Sequence, residues 1–319
     1  TPFVDHQNLG PLASRLVDVP NLPWRETRYP GITVKPLDPL FVAEVTGVDL
    51  TVPVSRDDFR VIWDAFNQYE VLVVRDQKFE DDTQIAFGKN FGPLETMEAH
   101  PANNFKPGHI AVMTNLDALG NLLPLDDPGM LHRLRNEAWH TDSSFKPVAA
   151  LCSLLSGRIV PPVGGNTDFA SARAAYAAFP EARKASLEGK TVIHRVAAPK
   201  AIDDPAYNEE QKKRLTVTHP LVRTNPVNGR KNWYVGSHAQ EIIGMPPEAG
   251  MALLDELTEF CTQPQFVYSH AWRQHDLVIW DNRCALHRAT TFDKTKYRRK
   301  MHRTTVAGTT PDSALASMP

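Results

Sequence analysis

The chain has 319 residues, enough for one large core, and its 42% hydrophobic and 23% charged residues are the balance of a soluble globular protein. A net charge of −2 excludes a general basic field for nucleic acid, and no run of about 18 apolar residues offers a membrane span. Cys152, Cys261 and Cys284 are too few and scattered for a disulfide framework, and the N-terminal residues lack the charged-then-apolar order of a secretion signal, which together point to a reducing cytoplasm.

Residues 1–30 read as an irregular arm, punctuated by Pro2, Pro11, Pro20, Pro23 and Pro30, lying on the body or on a neighbouring subunit. The fold proper is expected over residues 31–308 as a single domain, with residues 309–319 as a tail. "GITVKPL" from Gly31 alternates like a strand. "SRDDFRVIWDAFNQYE" places Phe59, Ile62, Trp63 and Phe66 at helical spacing behind an N-cap, Ser55. "VLVV" at Val71–Val74 is a buried strand, and "DDTQIAFGKNFG" a second helix with Gly92 in a C-terminal left-handed position. Beyond it "ALCSLLSGRIV", "WYVGS", "QFVYSHAW", "DLVIWDN" and "RTTVAG" read as strands. Helices over "SARAAYAAF" and "PPEAGMALLDELTEFC" interrupt them, the latter with Leu253, Leu254, Leu257, Phe260 and Cys261 on one face. The pattern is mainly β with flanking helices, packed outside a closed or sandwiched sheet.

Two stretches carry metal-ligand chemistry. Read as a strand, "WHTDSSF" points His140 and Asp142 to one side and Trp139 and Thr141 to the other. One imidazole and one carboxylate are two-thirds of the 2-His-1-carboxylate triad that holds non-haem Fe(II) and leaves coordination positions open. His287 in "WDNRCALHR", after a strong strand, is the candidate third ligand, with Asp281 and Asn282 fixing the turn before it and Trp139 and Trp280 packing around the barrel. In "YRRKMHRTTVAG" strand parity puts Arg299, Met301 and Arg303 on one face and Arg298, Lys300 and His302 on the other. Two inward arginines are costly unless anions meet them, and their planar forks suit carboxylates. "PPVGGNTDFAS" makes a tight glycine turn that delivers Thr167. Three classes remain open on these residues alone: an oxygenase, a zinc hydrolase using the same ligands, and a non-catalytic anion-binding barrel.

Together "WHTDSSF", "GGNTDFAS", "HPLVRTNPVNGR", "WDNRCALHR" and "YRRKMHRTTVAG" resemble the taurine dioxygenase family of Fe(II)- and 2-oxoglutarate-dependent oxygenases, in the family's order from about Ile32 to Gly308. "RKNWYVGSHAQEIIGMP" looks more like the aryloxyalkanoate (2,4-dichlorophenoxyacetate) branch than the taurine branch. The resemblance implies a double-stranded β-helix (jelly-roll) core. It makes His140, Asp142 and His287 the iron ligands, Arg299 and Thr167 the partners of the distal carboxylate of 2-oxoglutarate, and Arg303 the grip on the substrate anion. Asn136, His100 and Tyr234 match residues lining the substrate pocket, and His238 lies in a stretch shared with the aryloxyalkanoate branch. Implied with them are Fe(II), 2-oxoglutarate and O₂, a small organic anion hydroxylated next to its anionic or ether group with release of succinate and CO₂, a lid near residues 96–135, and a homo-oligomer, dimer or tetramer. A taurine, alkylsulfonate or alkyl sulfate ester substrate is the alternative within the same mechanism.

Overall fold

The computed structural model describes residues 27–28, 31–96, 108–127, 130, 134–196 and 216–308. Most of the expected arm, the tail, His100 and parts of the expected lid lie outside the described residues. β1 (Thr27–Arg28) pairs with β2 (Thr33–Asp38), so the end of the expected arm joins the sheet, and β3 (Val42–Thr46) pairs with β2 in turn. α1 (Arg56–Tyr69) starts where Ser55 Oγ accepts the Asp58 N–H at 3.0 Å, and it buries Phe59, Ile62 and Phe66. β4 (Val71–Val74) is buried throughout.

α2 (Asp81–Gly88) stops short of Gly92, which takes φ 144° in the turn beyond instead of capping the helix. The reason is a run of tight turns, Phe91 N–H to Gly88 O and Gly92 N–H to Lys89 O. These carry Phe91 into edge-on contact with Phe59, Phe66 and Phe87.

The β-rich part follows: β5 (Ala111–Thr114), a 3-10 turn (Leu134–Glu137), β6 (Ala150–Ile159), β7 (Thr167–Ser171), α3 (Ala172–Ala178) and α4 (Glu181–Leu187). Next come β8 (Thr191–Arg195), β9 (Thr216–Pro220), β10 (Val222–Thr224), β11 (Lys231–Trp233), β12 (Ala239–Ile242) and α5 (Pro247–Cys261). β13 (Val267–His270), β14 (Leu277–Asp281), β15 (Ala285–Ala289) and β16 (Lys300–Ala307) complete the order. The expected strand "WYVGS" ends at Trp233, and Tyr234–Ser237 are loop. No helix among the described residues is long and apolar enough to cross a membrane.

The strands build an eight-stranded sheet in the order β1-β2-β3-β4-β14-β6-β16-β5, faced by smaller sheets that include β13-β7-β15 and β12-β8-β9. This is a double-stranded β-helix core. Period-2 alternation divides the large sheet between two cores. Val71, Val73, Leu155, Val278, Trp280 and Met301 point inward against Phe169 and Leu286 of the small sheet. Their sequence neighbours Leu72, Val74, Leu154, Leu277 and Ile279 point outward, where α1 and α2 cover them. A Leu154→Ala change in this outer layer would cost about 2–5 kcal/mol. On α5, Leu254, Leu257 and Cys261 are fully buried, and Leu253 and Phe260 pack half-buried beside them. The inner face of β14, β15 and β16 opens at one end, and the candidate site lies there.

Candidate metal and oxoacid site

The strand expected at "WHTDSSF" is absent: residues 142–145 are a turn, and Ser143 takes φ 55°. The two ligands converge by another route. His140 forms a single antiparallel bridge with His287, His140 N–H to His287 O at 3.1 Å and His287 N–H to His140 O at 2.8 Å. The turn then folds Asp142 back, so that its Oδ1 lies 4.0 Å from His140 Nε2 and its Oδ2 3.7 Å from His287 Nε2. All three donors lie within 4.8 Å of one another and are buried.

His140 Nδ1 sits 2.8 Å from Ala138 O, which makes Nδ1 the protonated nitrogen and leaves Nε2 with a lone pair. Burial depresses the pKa of both imidazoles, and in each case the other ring of the pair or Arg303 adds to it. Burial works to raise the Asp142 carboxyl, but the Arg303 guanidinium beside it and the Ser153 hydrogen bond hold the group well below the usual carboxylate range. Two neutral imidazoles and one carboxylate are the donor set of the 2-His-1-carboxylate triad. Ligands of one ion about 2.1 Å away stand about 3–4 Å apart, so a small inward movement closes this set on a cation.

Asp142 is held by residues that sequence patterns did not single out as metal-site partners. Its backbone N–H donates to Asn282 Oδ1 at 3.1 Å, and Ser153 Oγ donates to its Oδ2 at 2.7 Å. Asn282 also accepts Trp280 Nε1–H at 2.9 Å, donates to Ser153 Oγ at 2.9 Å and accepts Thr141 Oγ on its carbonyl at 2.7 Å. The turn assigned to Asn282 is therefore also a clamp on a ligand. The one legible hint was Ser153, a hydroxyl among the apolar residues that open a buried strand.

A cleft opens beside the triad, lined among others by Met113, Leu155, Thr167, Trp280, Phe292, Arg299 and Arg303. The parity reading of the last strand holds at the cleft, since Arg299 and Arg303 both reach it and Met301 is buried. The opposite face is not simply outward: His302 is buried beneath α2, 2.6 Å from Asp81 Oδ1. Arg303 Nη1 donates to Asp142 Oδ1 at 2.6 Å, while its Nε meets no partner among the described residues.

Arg299 has no carboxylate among the described residues. Its buried Nε is unpaired, and burial alone lowers its pKa to about 10. Thr167 accepts Trp272 Nε1–H at 3.0 Å, so its own hydroxyl hydrogen is left for the cleft it lines. The glycine turn does what its sequence promised. Gly164 and Gly165 take φ 74° and 68°, and a Cβ on Gly165 would stand 2.8 Å from Pro161 Cγ and 3.5 Å from Arg299 Nε.

Asn136 lines the cleft, but Tyr234 and His238 do not. Tyr234 follows the end of β11 and stacks on His194 at 5.0 Å, under the Arg223 guanidinium at 4.4 Å. His238 stands edge-on behind His140, 6.0 Å between ring centres, and against Phe145 at 4.8 Å. Burial depresses its pKa to about 3.

A buried non-haem metal triad at the open end of a double-stranded β-helix, with an unmatched arginine beside it, defines an iron oxygenase of the oxoacid-dependent kind. The chain matches the family described as "Taurine catabolism dioxygenase TauD, TfdA family" over residues 33–305 and belongs to it. It is 40% identical over 278 residues to the alpha-ketoglutarate-dependent 2,4-dichlorophenoxyacetate dioxygenase of Burkholderia sp. (strain RASC), covering 85% of this chain and 93% of that one. It is 35% identical over 297 residues to the (S)-phenoxypropionate/alpha-ketoglutarate-dioxygenase of Sphingobium herbicidovorans, covering 90% and 99%. The crystal structure of AAD-2 in complex with Mn(II) and N-oxalylglycine superposes with a TM-score of 0.79 at 40% identity, covering 88% of this chain and 98% of that one. The protein is a 2-oxoglutarate-dependent dioxygenase whose cofactors are Fe(II) and 2-oxoglutarate. The hydrolase and the non-catalytic barrel fall away with that result.

Proposed function

We propose that the enzyme hydroxylates a small, singly anionic aryloxyalkanoate at the carbon between its carboxylate and its ether oxygen. His140, Asp142 and His287 hold Fe(II), with Asp142 set in place by Ser153 and Asn282. Arg299 and the Thr167 hydroxyl receive the distal carboxylate of 2-oxoglutarate. The observation that carries this assignment is Arg299 itself, a half-buried arginine whose withdrawn Nε has no partner among the described residues. A charge in that position is stable only if an anion from outside completes it.

Bound iron and 2-oxoglutarate supply the oxidising power, O₂ being consumed as 2-oxoglutarate becomes succinate and CO₂ and one oxygen atom enters a C–H bond of the substrate. The protein positions the partners. Arg303, fixed through one nitrogen to Asp142, has its remaining donors for the substrate anion, which brings the adjoining carbon beside the metal-binding carboxylate. Met113, Leu155, Trp280 and Phe292 give the apolar wall an aryl body needs, and Asn136 lines the same space. Hydroxylation next to an ether oxygen gives a hemiacetal that collapses to a phenol and, from an aryloxyacetate, glyoxylate. The two relatives named for a phenoxyacetate and a phenoxypropionate support this class.

The domain boundaries of 31–308, a cytoplasmic location and a homo-oligomeric state belong to the same reading. Three buried free cysteines favour the reducing compartment, and light scattering tests the assembly. Succinate release across phenoxyacetate, 2-phenoxypropionate, an alkylsulfonate and an alkyl sulfate ester tests the substrate. Turnover confined to the sulfur acids would replace the aryloxyalkanoate by the alternative, and none with any of them would overturn the reading.

A further inference from the structure

Glu137 is out of place. It lines a cleft built to receive anions, at the end of the 3-10 turn that also carries Asn136. Its partner is Lys294, whose Nζ lies 2.8 Å from Glu137 Oε1 and which lines the same cleft. The two side chains remain 20% and 30% exposed, so neither is locked away from an arriving ligand.

The pair joins two sides of the cleft. Glu137 stands just before the metal-binding histidine in sequence, and Lys294 stands on the loop between β15 and Arg299. One buried side chain fixes that loop: Asn115 Nδ2 donates to Lys294 O at 3.1 Å and to Tyr297 O at 2.8 Å, while its Oδ1 accepts the Arg299 N–H at 2.8 Å. Lys294 is therefore a flexible cation on a root held in register with Arg299.

Charge balance says what it is for. Among the described residues, the ionised side chains on the cleft and triad are Lys294, Arg299 and Arg303 against Asp142 and Glu137. Once Fe(II) and the dianion 2-oxoglutarate are present, one more negative charge brings the whole to neutrality. Without Glu137 two would be needed. An uncompensated charge in a partly desolvated site is costly, so the set favours a substrate of one negative charge.

We propose that Lys294 is a second contact for the substrate's anionic group, held ready by Glu137, and that Glu137 makes the cleft select singly charged anions. This rests on the proposed function and names what in the site sets substrate charge. Substrate binding exchanges the Glu137 carboxylate for that of the ligand on Lys294. No bond is made or broken in the step.

The test measures binding, so that it does not depend on turnover. The full chain, loaded with Mn(II) and 2-oxoglutarate in the absence of O₂, is titrated calorimetrically with phenoxyacetate and with 4-carboxyphenoxyacetate, which carries a second carboxylate. Lys294→Gln should weaken phenoxyacetate binding about 3- to 5-fold, the scale of one partly exposed ionic contact, and leave 2-oxoglutarate binding within about 2-fold. Glu137→Gln should shrink the wild-type preference for the monoanion by a similar factor. The charge-swapped E137K/K294E protein keeps an ion pair across the cleft but moves the cation to the other side, and it should not recover phenoxyacetate affinity. Recovery by the swap would show a mere tether between turn and loop and overturn the proposal, as would single variants that change both ligands equally or neither. If the wild-type protein binds neither anion, the proposed function fails and takes this inference with it. If it binds phenoxyacetate and the variants behave as wild type, only the inference fails.

Discussion

Arg173 is buried and Arg299 is half-buried with its Nε withdrawn from water, and the protein treats them in opposite ways. Arg173, 5% exposed, reaches Glu70 Oε1 at 2.5 Å and donates to the carbonyls of Gln68 and Leu40. Ser171 donates to the same Glu70 oxygen at 2.8 Å, and nearby Arg283 is matched by Asp281 and Asn67. Arg299 has no ion-pair partner among the described residues, and it faces a cleft that it shares with the Thr167 hydroxyl. A buried charge with its mate inside the protein is architecture, whereas one without a mate is an address for a ligand.

The largest effects should separate these two arginines. Arg173→Ala leaves Glu70 buried and uncompensated and should cost about 3–5 kcal/mol in urea unfolding at pH 8. Arg299→Met gives up no internal partner, so the unliganded fold should be unchanged or slightly more stable. Its binding of 2-oxoglutarate, followed by calorimetry without O₂, should weaken about 100-fold, near the lower end of what losing one partner of a buried charge pair costs. Equal losses of stability in the two variants would break the distinction.

The Glu70 side sharpens it further through pH. Burial pushes the Glu70 carboxyl up from 4.5 to about 7, with Arg173 restraining the shift. The folded protein therefore holds a proton that the unfolded chain gives up near pH 4.5. Between those values the folded state binds more protons, so this group's contribution to stability falls as pH rises towards 7 and is flat above. Unfolding midpoints from pH 4.5 to 8 should show that slope in the wild type and lose it in Glu70→Gln. A slope of the opposite sign would place the ionised carboxylate in the folded protein throughout.

Smaller effects belong to the cleft end. Ser153→Ala should weaken iron binding about 10- to 100-fold by chelator competition while the fold persists, because the hydroxyl orients Asp142 from behind. An unchanged affinity would make that hydrogen bond incidental. Trp272→Phe should raise the KM for 2-oxoglutarate about 5-fold, near 1 kcal/mol, by freeing the Thr167 hydroxyl to turn away, with little change in the KM for the primary substrate. Comparable shifts in both constants would mean that the indole only fills space.

Much of this architecture was legible because it rests on period. The two-residue alternation that sends Leu155 inward and Leu154 outward, and the helical stripe of Phe59, Ile62 and Phe66, are properties of short windows. The same parity brought Arg299 and Arg303 to one cleft, although a register shift lies between Lys300 and Met301. His140 and Asp142 came together for a reason other than the one their spacing suggested, since a turn and not a strand presents them. Tyr234 illustrates the limit: the strand it was read into ends one residue earlier, and the loop turns the ring towards His194. Asn282 and Trp272 act across more than a hundred residues of chain on Asp142 and Thr167, and Ser153 reaches Asp142 only because a turn folds the carboxylate back over β6; no local pattern encodes such partners.

The paired main-chain bonds between His140 and His287 link positions almost half the chain apart. Closing so large a loop is entropically late work, rewarded only when the strands on both sides have already docked. The cation site is therefore complete only once both flanking segments have docked. Time-resolved metal uptake during refolding would report completion of the native topology, which makes the ion a clock for the barrel's closure as well as its cofactor.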